Sequence, residues 1–222
     1  MPRRKEKYVY ALGYRWLTPL YDTLVRLLVP ELEFKRRLAG QAALENAHHV
    51  LDLGCGTGTL TLLLKSSQAE AQVVGLDPDR KALAIAADKA ARAGLVIGLH
   101  CGSALALPYP DASFDRVLSS MLFHHLTSEG KSRSLREAFR VLRPGGELHV
   151  ADWGEPDTRL MRATSVLGFV LEGASQRMRD NLSGRLPEFI RRAGFVELRQ
   201  TGRYGTVFGT LRLYRARKPA AA

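Results

Sequence analysis

Short apolar runs recur along the chain, at His49–Leu53, Val73–Leu76, Leu95–Leu99, Phe114–Leu118 and Glu147–Ala151. Each has the length of a strand and is bounded by turn residues. Segments of helical periodicity separate them. Thr59–Lys65 follows Gly58, and Arg80–Ala93 stops at Gly94, a residue suited to ending a helix in the left-handed conformation. In Lys131–Leu142, Leu135, Ala138, Phe139 and Leu142 fall on one apolar stripe, which Pro144-Gly145-Gly146 then breaks. Strand and helix in alternation predict a parallel sheet with helices on both faces.

After the fifth run the rhythm changes. Asp157–Arg179 reads as helical and Asn181–Gly184 as a loop; a short helix starts near Pro187 and ends before Gly194. Val196–Tyr204 and Thr206–Ala216 read as two last strands joined tightly at Gly205. The expected fold is an α/β, Rossmann-like seven-stranded sheet, mostly parallel with an antiparallel C-terminal hairpin. Residues 1–46 read as an N-terminal helical lid. Its helical stretch, Tyr8–Ala47, is broken at Pro19 and Pro30. It precedes the first strand, so it must pack outside the sheet or over its ligand edge. Residues 47–222 complete what reads as one structural domain.

At 222 residues the chain can bury a full core without staples. Its two cysteines, Cys55 and Cys101, do not make a disulfide framework, which points to a reducing cytoplasm. Neither joins a histidine and cysteine set at metal-ligand spacing, so no metal is expected. The basic start is followed by a stretch that Arg15, Asp22 and Arg26 interrupt, which argues against a signal peptide and a membrane-spanning helix.

The net charge of +11 is unevenly spread. Residues 1–37 hold 9 Lys and Arg against 4 Asp and Glu, and residues 185–222 hold 9 against 2, so the middle carries 15 against 16. Basic ends on a neutral body suit an anionic partner: a membrane surface, a nucleic acid or an acidic substrate. The alternative is a solubilising surface. Tyr8, Tyr10, Tyr14, Trp16 and Tyr21, interleaved with Arg15 and Arg26, suit an interfacial helix as well as a lid that turns its aromatics inward.

The chemistry concentrates in Val50-Leu51-Asp52-Leu53-Gly54-Cys55-Gly56-Thr57-Gly58-Thr59. A buried strand runs into alternate glycines and then into a helix, at the carboxyl edge where open α/β sheets bind ligands. A dinucleotide loop would need glycine at position 59, where this chain has Thr59. Val74-Gly75-Leu76-Asp77 places a carboxylate at the end of the next strand, beside Pro78. There it can accept both hydroxyls of a ribose, or it can cap the following helix, a task Asp79 performs equally well.

Together these segments resemble class I S-adenosylmethionine-dependent methyltransferases. Val50–Leu60 resembles the family's first motif, and Asp77 its acid. Cys101-Gly102-Ser103-Ala104 with Leu107-Pro108 resembles the third-strand motif. Phe114-Asp115-Arg116-Val117 with His124-His125-Leu126 resembles the fourth, and Arg140–Gly146 the approach to the fifth. The likeness runs from about Ala47 to Trp153 and is nearest to the UbiE-like branch, which includes quinone C-methyltransferases and soluble bacterial phosphatidylethanolamine N-methyltransferases.

The resemblance implies an S-adenosylmethionine cofactor with S-adenosylhomocysteine as product. Asp52, Gly54, Gly56 and the main chain of Cys55 would hold its methionine part. Asp77, with Pro78, would bind the ribose, Ser103 and Ala104 would flank the adenine, and Ser119 or Ser120 would meet the far side. Tyr21 stands where the family often has a tyrosine near the cofactor carboxylate. Ser103 departs from the family's usual Asp or Asn, which puts the contact to the adenine amino group in doubt.

His124 and His125 are candidate bases, needed only if the nucleophile must lose a proton. Cys55 reads as packing within its loop and Cys101 as core. Trp153–Arg192 carries Met161, Phe169, Met178 and Phe189, an apolar set suited to an acceptor pocket or to core. The acceptor expected is small and lipophilic, a phospholipid amine head group or a quinone-type lipid, met in the cytoplasm or peripherally at a membrane. A polar metabolite or RNA is the alternative acceptor. Ser119–His125 lacks the Pro-Pro-aromatic signature of base-amino methyltransferases, so nucleic acid is not the expected partner. A non-catalytic adenosyl-cofactor-binding protein is the reading of another class.

Overall fold

Strand β1 (His49–Leu53) is buried on both faces, and its side chains alternate between two cores: Leu51 and Leu53 join one, Val50 the other. The computed structural model describes residues 31–158, 161, 176–206 and 209–220. Tyr21, the aromatic stretch before Glu31, and Phe169 lie outside the described residues. Around β1 are β2 (Gln72–Asp77), β3 (Gly98–Cys101), β4 (Phe114–Ser120), β5 (Leu142–Gly154), β6 (Val196–Thr206) and β7 (Gly209–Arg217). They form one sheet in the order β3-β2-β1-β4-β5-β7-β6, parallel through β5, with β7 antiparallel to β5 and to β6. The seven-stranded sheet with its antiparallel hairpin is the architecture expected from the sequence. Chain order reverses direction between β1 and β4, so their carboxyl ends diverge into a crevice.

Helices α1 (Glu31–Gln41) and α2 (Thr59–Ser67) cover one face with Phe34, Leu38, Leu60 and Leu64. Helices α4 (Ser128–Val141) and α6 (Leu186–Arg192) cover the other with Leu135, Ala138, Phe189 and Ile190. Burying one such leucine contributes about 1.5–3 kcal/mol. Helix α3 (Arg80–Ala93) packs on β2 and β3, and α5 (Gln176–Leu182) on β5. Phe189 is therefore core. Among the described residues no helix is long and apolar enough to cross a membrane.

Several boundaries differ from the sequence pattern for local reasons. The run Leu95–Leu99 contributes only its end to β3, because Leu95 N–H donates to Ala90 O and Gly94 N–H to Ala91 O, closing α3. Helix α4 starts at Ser128 rather than Lys131 because Thr127 caps it, accepting from Gly130 N–H at 3.0 Å. The hairpin turns beyond Thr206, which pairs with Gly209, while Gly205 sits inside the ladder opposite Thr210. Helix α5 continues through Leu182, where a loop was expected from Asn181. Of the expected helix Asp157–Arg179, the stretch from Gln176 is helical and most of the rest lies outside the described residues.

The hairpin is tied to the sheet by a polar cluster. Arg215 Nε and Nη2 donate to Glu147, whose Oε2 lies 3.2 Å from Nε2 of the fully buried His149. Burial would raise the Glu147 carboxyl, but His149 and Arg215, with Arg116 behind them, outweigh it and hold it down at about 2. Gln41 of α1 joins the cluster, 3.2 Å from His149 Nδ1, and accepts from Thr201 Oγ1 at 2.6 Å.

Candidate functional site

The loop after β1 turns on Gly54, Gly56 and Gly58, at φ of 74°, 53° and 76°. A Cβ on Gly54 would lie 2.9 Å from Leu122, whereas one on Gly56 would meet open space. The Gly56 main chain is thus the part a ligand can approach. Gly54 and Cys55 N–H both donate to Leu76 O, at 2.9 and 3.1 Å, which fixes the loop over β2. There β2 passes so close that a Cβ on Gly75 would lie 2.8 Å from Cys55 Sγ. Burial, with Asp52 and Asp77 nearby, pushes the Cys55 thiol up, which suits packing and not attack.

Asp77 ends β2 with both carboxylate oxygens on the main chain. Oδ2 accepts from Gly56 N–H at 2.9 Å and Oδ1 from Asp79 N–H at 2.8 Å. Each oxygen keeps a lone pair for a ribose hydroxyl. Capping of α3 falls to Asp79, which accepts from Lys81 N–H at 2.8 Å. Lys89 reaches back from α3 to Thr57 O, Thr57 Oγ1 and Thr59 Oγ1 at 3.0, 2.9 and 3.4 Å, bracing the outer side of the loop.

These groups line a cavity of about 480 Å³, within the range of small-molecule and cofactor sites. Asp52, Gly54, Cys55, Gly56, Asp77, Pro78, Ser103, Ala104 and Ser120 border it, together with Glu31, Lys35, Met121, Leu122, His125 and Leu126. Asp52 is fully buried. Its Oδ2 accepts from Thr61 Oγ1 at 2.7 Å, and Oδ1 has no partner among the described residues. Burial raises the carboxyl to about 6 against the opposing effects of Thr61 and Lys35. Ser120 Oγ is likewise buried without a partner among the described residues. A half-satisfied carboxyl, a free hydroxyl and an open glycine main chain suit a ligand with hydroxyl and ammonium groups, as an adenosyl-methionine cofactor is.

Other residues singled out in the sequence sit differently. Ser119 Oγ donates to Leu53 O at 3.0 Å inside the sheet, on the strand face opposite Ser120. Ser103 Oγ accepts from Leu105 N–H at 3.2 Å, so its hydroxyl closes the turn it occupies. Cys101, expected in the core, is exposed.

The histidines occupy one turn, Phe123–His125, and part company. His125 is exposed and borders the cavity, while His124 is buried with Nδ1 2.8 Å from Asp152 Oδ1. Their ring centroids are 3.9 Å apart. Asp152 also accepts from Phe123 N–H at 2.6 Å, Trp153 N–H at 2.8 Å and Asn181 Nδ2 at 3.2 Å. Below the turn, buried Lys131 donates to Leu126 O at 2.8 Å and lies 3.6 Å from Asp180, which also holds Arg185 at 2.8 Å. Burial lowers the Lys131 amine and Asp180 opposes it. Asp152, Asn181, Lys131 and Asp180 escaped the sequence reading because three elements distant in the chain must meet before they do. Met121, at φ of 61°, precedes the turn and borders the cavity, a strained placement of the kind found at ligand sites.

A methyltransferase-domain family model matches residues 50–146. The demethylmenaquinone methyltransferase of Thermus thermophilus is 40% identical over 142 residues, covering 63% of this chain and 64% of that protein. The demethylmenaquinone methyltransferase of Deinococcus radiodurans is 35% identical over 155 residues, 69% and 64%. The chain thus spans just under two thirds of the length of these curated relatives. A third, from Symbiobacterium thermophilum, is 29% identical over 88% of both chains. Among solved structures, the S-adenosylmethionine-dependent methyltransferase SibL superposes with a TM-score of 0.71 at 22% identity, covering 96% of this chain and 63% of that one. The cyclase SpnF superposes with a TM-score of 0.70 at 23% identity, covering 92% and 93%. These two likenesses concern the fold. With the motifs in order along one sheet and the loop, acid and cavity they build, residues 50–146 form a methyltransferase domain, and the chain is similar to demethylmenaquinone and UbiE-type methyltransferases over the part it shares with them.

Proposed function

We propose that this chain transfers the methyl group of S-adenosylmethionine to a small lipophilic acceptor of quinone type. The observation that carries the reading is the cavity itself. Its lining joins Asp52, the glycine loop and Asp77 to an apolar set, Met121, Leu122 and Leu126, beside His125. The similarity to the Thermus and Deinococcus demethylmenaquinone methyltransferases supports a quinone.

When bound, the cofactor supplies a methyl group on a sulfonium that is ready for in-line displacement. The chain's part is to hold both reactants in line, which can supply much of the acceleration. Asp77, beside Pro78, takes the ribose hydroxyls, and Ser103 and Ala104 frame the adenine through the turn that the Ser103 hydroxyl closes. Asp52, Gly54, Cys55 and Gly56 hold the methionine part, and Ser120 offers its free hydroxyl. Ser119 acts through its bond to β1. The apolar wall excludes water and takes the acceptor ring. His125 is placed to accept a proton from the acceptor, and His124, fixed by Asp152, supports its ring. A quinone lipid lives in membrane, and the basic ends suit a peripheral approach to an anionic surface from the cytoplasm.

The test is incubation with methyl-labelled S-adenosylmethionine and a demethylated naphthoquinone carried in anionic liposomes, followed by partition into organic solvent. Labelled quinone that increases with anionic lipid supports the reading. Label that stays in the aqueous phase when a total cell extract is supplied instead points to a polar metabolite or RNA. Cofactor binding with no label in any fraction points to a non-catalytic role.

A further inference from the structure

The turn that carries His125 to the cavity is gripped at both ends, and both grips close on consecutive residues of α5. At its start, Phe123 N–H donates to Asp152 Oδ2 at 2.6 Å. At its end, Leu126 O accepts from Lys131 Nζ at 2.8 Å. Asn181 Nδ2 donates to Asp152 Oδ1 at 3.2 Å and to Trp153 O at 3.0 Å. Asp180, one residue earlier, lies 3.6 Å from Lys131 Nζ and also accepts from Ser128 Oγ and Arg185. Asp152, Asn181 and Lys131 are fully buried, and Asp180 is nearly so. A carboxylate and a carbonyl only accept, so the Asn181 amide nitrogen must face them and its oxygen must face away. That oxygen is buried with no partner among the described residues. A buried amide that gives hydrogen bonds on one side and leaves its oxygen unmet is disfavoured by itself, so its place follows from what it holds.

We propose that Asp180 and Asn181 form a clasp that positions His125 against the acceptor, with Asn181 the positioning residue on the His124 side. The proposal rests on the reading of His125 as the base. Asn181 acts through others. It fixes the Asp152 carboxylate, Asp152 holds His124 Nδ1 at 2.8 Å, and the His124 and His125 ring centroids are 3.9 Å apart. His125 is exposed on the cavity wall, and the buried stack beside it is what a change at Asn181 would loosen. A group misplaced by about 1 Å can lose about a hundredfold in rate, and release of one side of the clasp should lose less. The Asn181 hydrogen bonds go to β5 and reach neither the glycine loop nor Asp77, so cofactor binding should be spared.

The full chain is assayed for labelled-methyl transfer to a demethylated naphthoquinone in anionic liposomes, and its S-adenosylhomocysteine affinity is measured calorimetrically. Asn181→Leu, close in shape but without the amide, is expected to lower kcat about tenfold. Its S-adenosylhomocysteine affinity is expected to stay within about twofold of wild type, which also reports a folded chain. His125→Gln is expected to lower kcat about a hundredfold. The double variant is expected to match His125→Gln alone, because the clasp then has no base to position. A purely structural role for Asn181 would instead multiply the two losses to about a thousandfold. That product, an undiminished kcat in Asn181→Leu, or affinity lost in parallel with kcat overturns the clasp. Should Asn181→Leu not fold, Asp180→Asn makes the same test from the other end of the turn. There a loss of about threefold that disappears in the His125→Gln background supports the clasp, and one that persists overturns it. A wild-type rate in His125→Gln refutes the base reading itself, and the proposal falls with it.

Discussion

Replacing Asp52 by asparagine separates charge from shape at the most deeply buried acid of the site. Burial, opposed by the Thr61 hydroxyl and then by Lys35, moves its carboxyl from 3.8 to about 6. Two units at about 1.36 kcal/mol each make ionised Asp52 a burden on the order of 3 kcal/mol to the ligand-free fold. The unfolded chain releases this proton near pH 4 while the folded chain keeps it until about pH 6. Stability therefore falls as pH rises through that window and stays lower above it. Asparagine matches the shape and can still accept from Thr61, but carries no charge. The variant should match wild type in its pH dependence below about pH 4 and gain on the order of 3 kcal/mol relative to it by pH 7. For a chain of this size that is about 6–12 °C in melting temperature. Glu147 and Asp115, whose carboxyls are held down, weaken both proteins alike at low pH and cancel in the difference. Calorimetric melts of the ligand-free pair from pH 4 to 8 measure it. A difference that does not vary with pH, or a variant less stable at pH 7, refutes the reasoning. S-adenosylhomocysteine should show the reverse: wild-type affinity rises as pH passes 6, and the variant's does not.

The close pass of β2 beneath the loop is testable by Gly75→Ala, whose methyl would lie 2.8 Å from Cys55 Sγ. The expected cost is about 1–3 kcal/mol in urea unfolding with weaker S-adenosylhomocysteine binding, and Cys55→Ala in the same chain should restore much of both. His124→Gln is expected to cost about 1–3 kcal/mol in melting experiments, because buried Asp152 loses its hydrogen-bond partner. His125→Gln, at an exposed position, should stay within about 0.5 kcal/mol of wild type while slowing labelled-methyl transfer about a hundredfold. Equal stability effects at the two positions would contradict the division of roles drawn here.

The sheet and the glycine loop that borders the cavity were legible because both are written locally. A buried strand, its glycines and the next strand's acid lie within Val50–Asp77, and each residue's position follows from its place in a strand-turn-helix unit. Strand and helix limits were less legible where capping decides them. Leu95 looks like strand from its apolarity but closes α3, and Thr127 starts α4 a turn before the apolar stripe begins. The support of the histidine turn was illegible. Asp152 lies in an apolar strand, Asn181 in what reads as a loop, and Lys131 on a helix surface by composition; pairing across the fold makes each of them tolerable in the interior.

Strand β7 follows every other described strand in the sequence, yet lies between β5 and β6. During synthesis β5 must therefore wait as an open edge, with its eight-residue partnership from Glu147–Arg217 to Gly154–Thr210 unmade. Until then the nascent chain holds Asp152 and His149, both destined for full burial, beside unpaired backbone. The histidine turn hangs on Asp152, so the cavity cannot reach its final form co-translationally before the last strand has left the ribosome. The folding of this chain should accordingly depend on chaperones that shield a sheet edge, and a stop codon ahead of β7 should yield an aggregating product and no weakened enzyme.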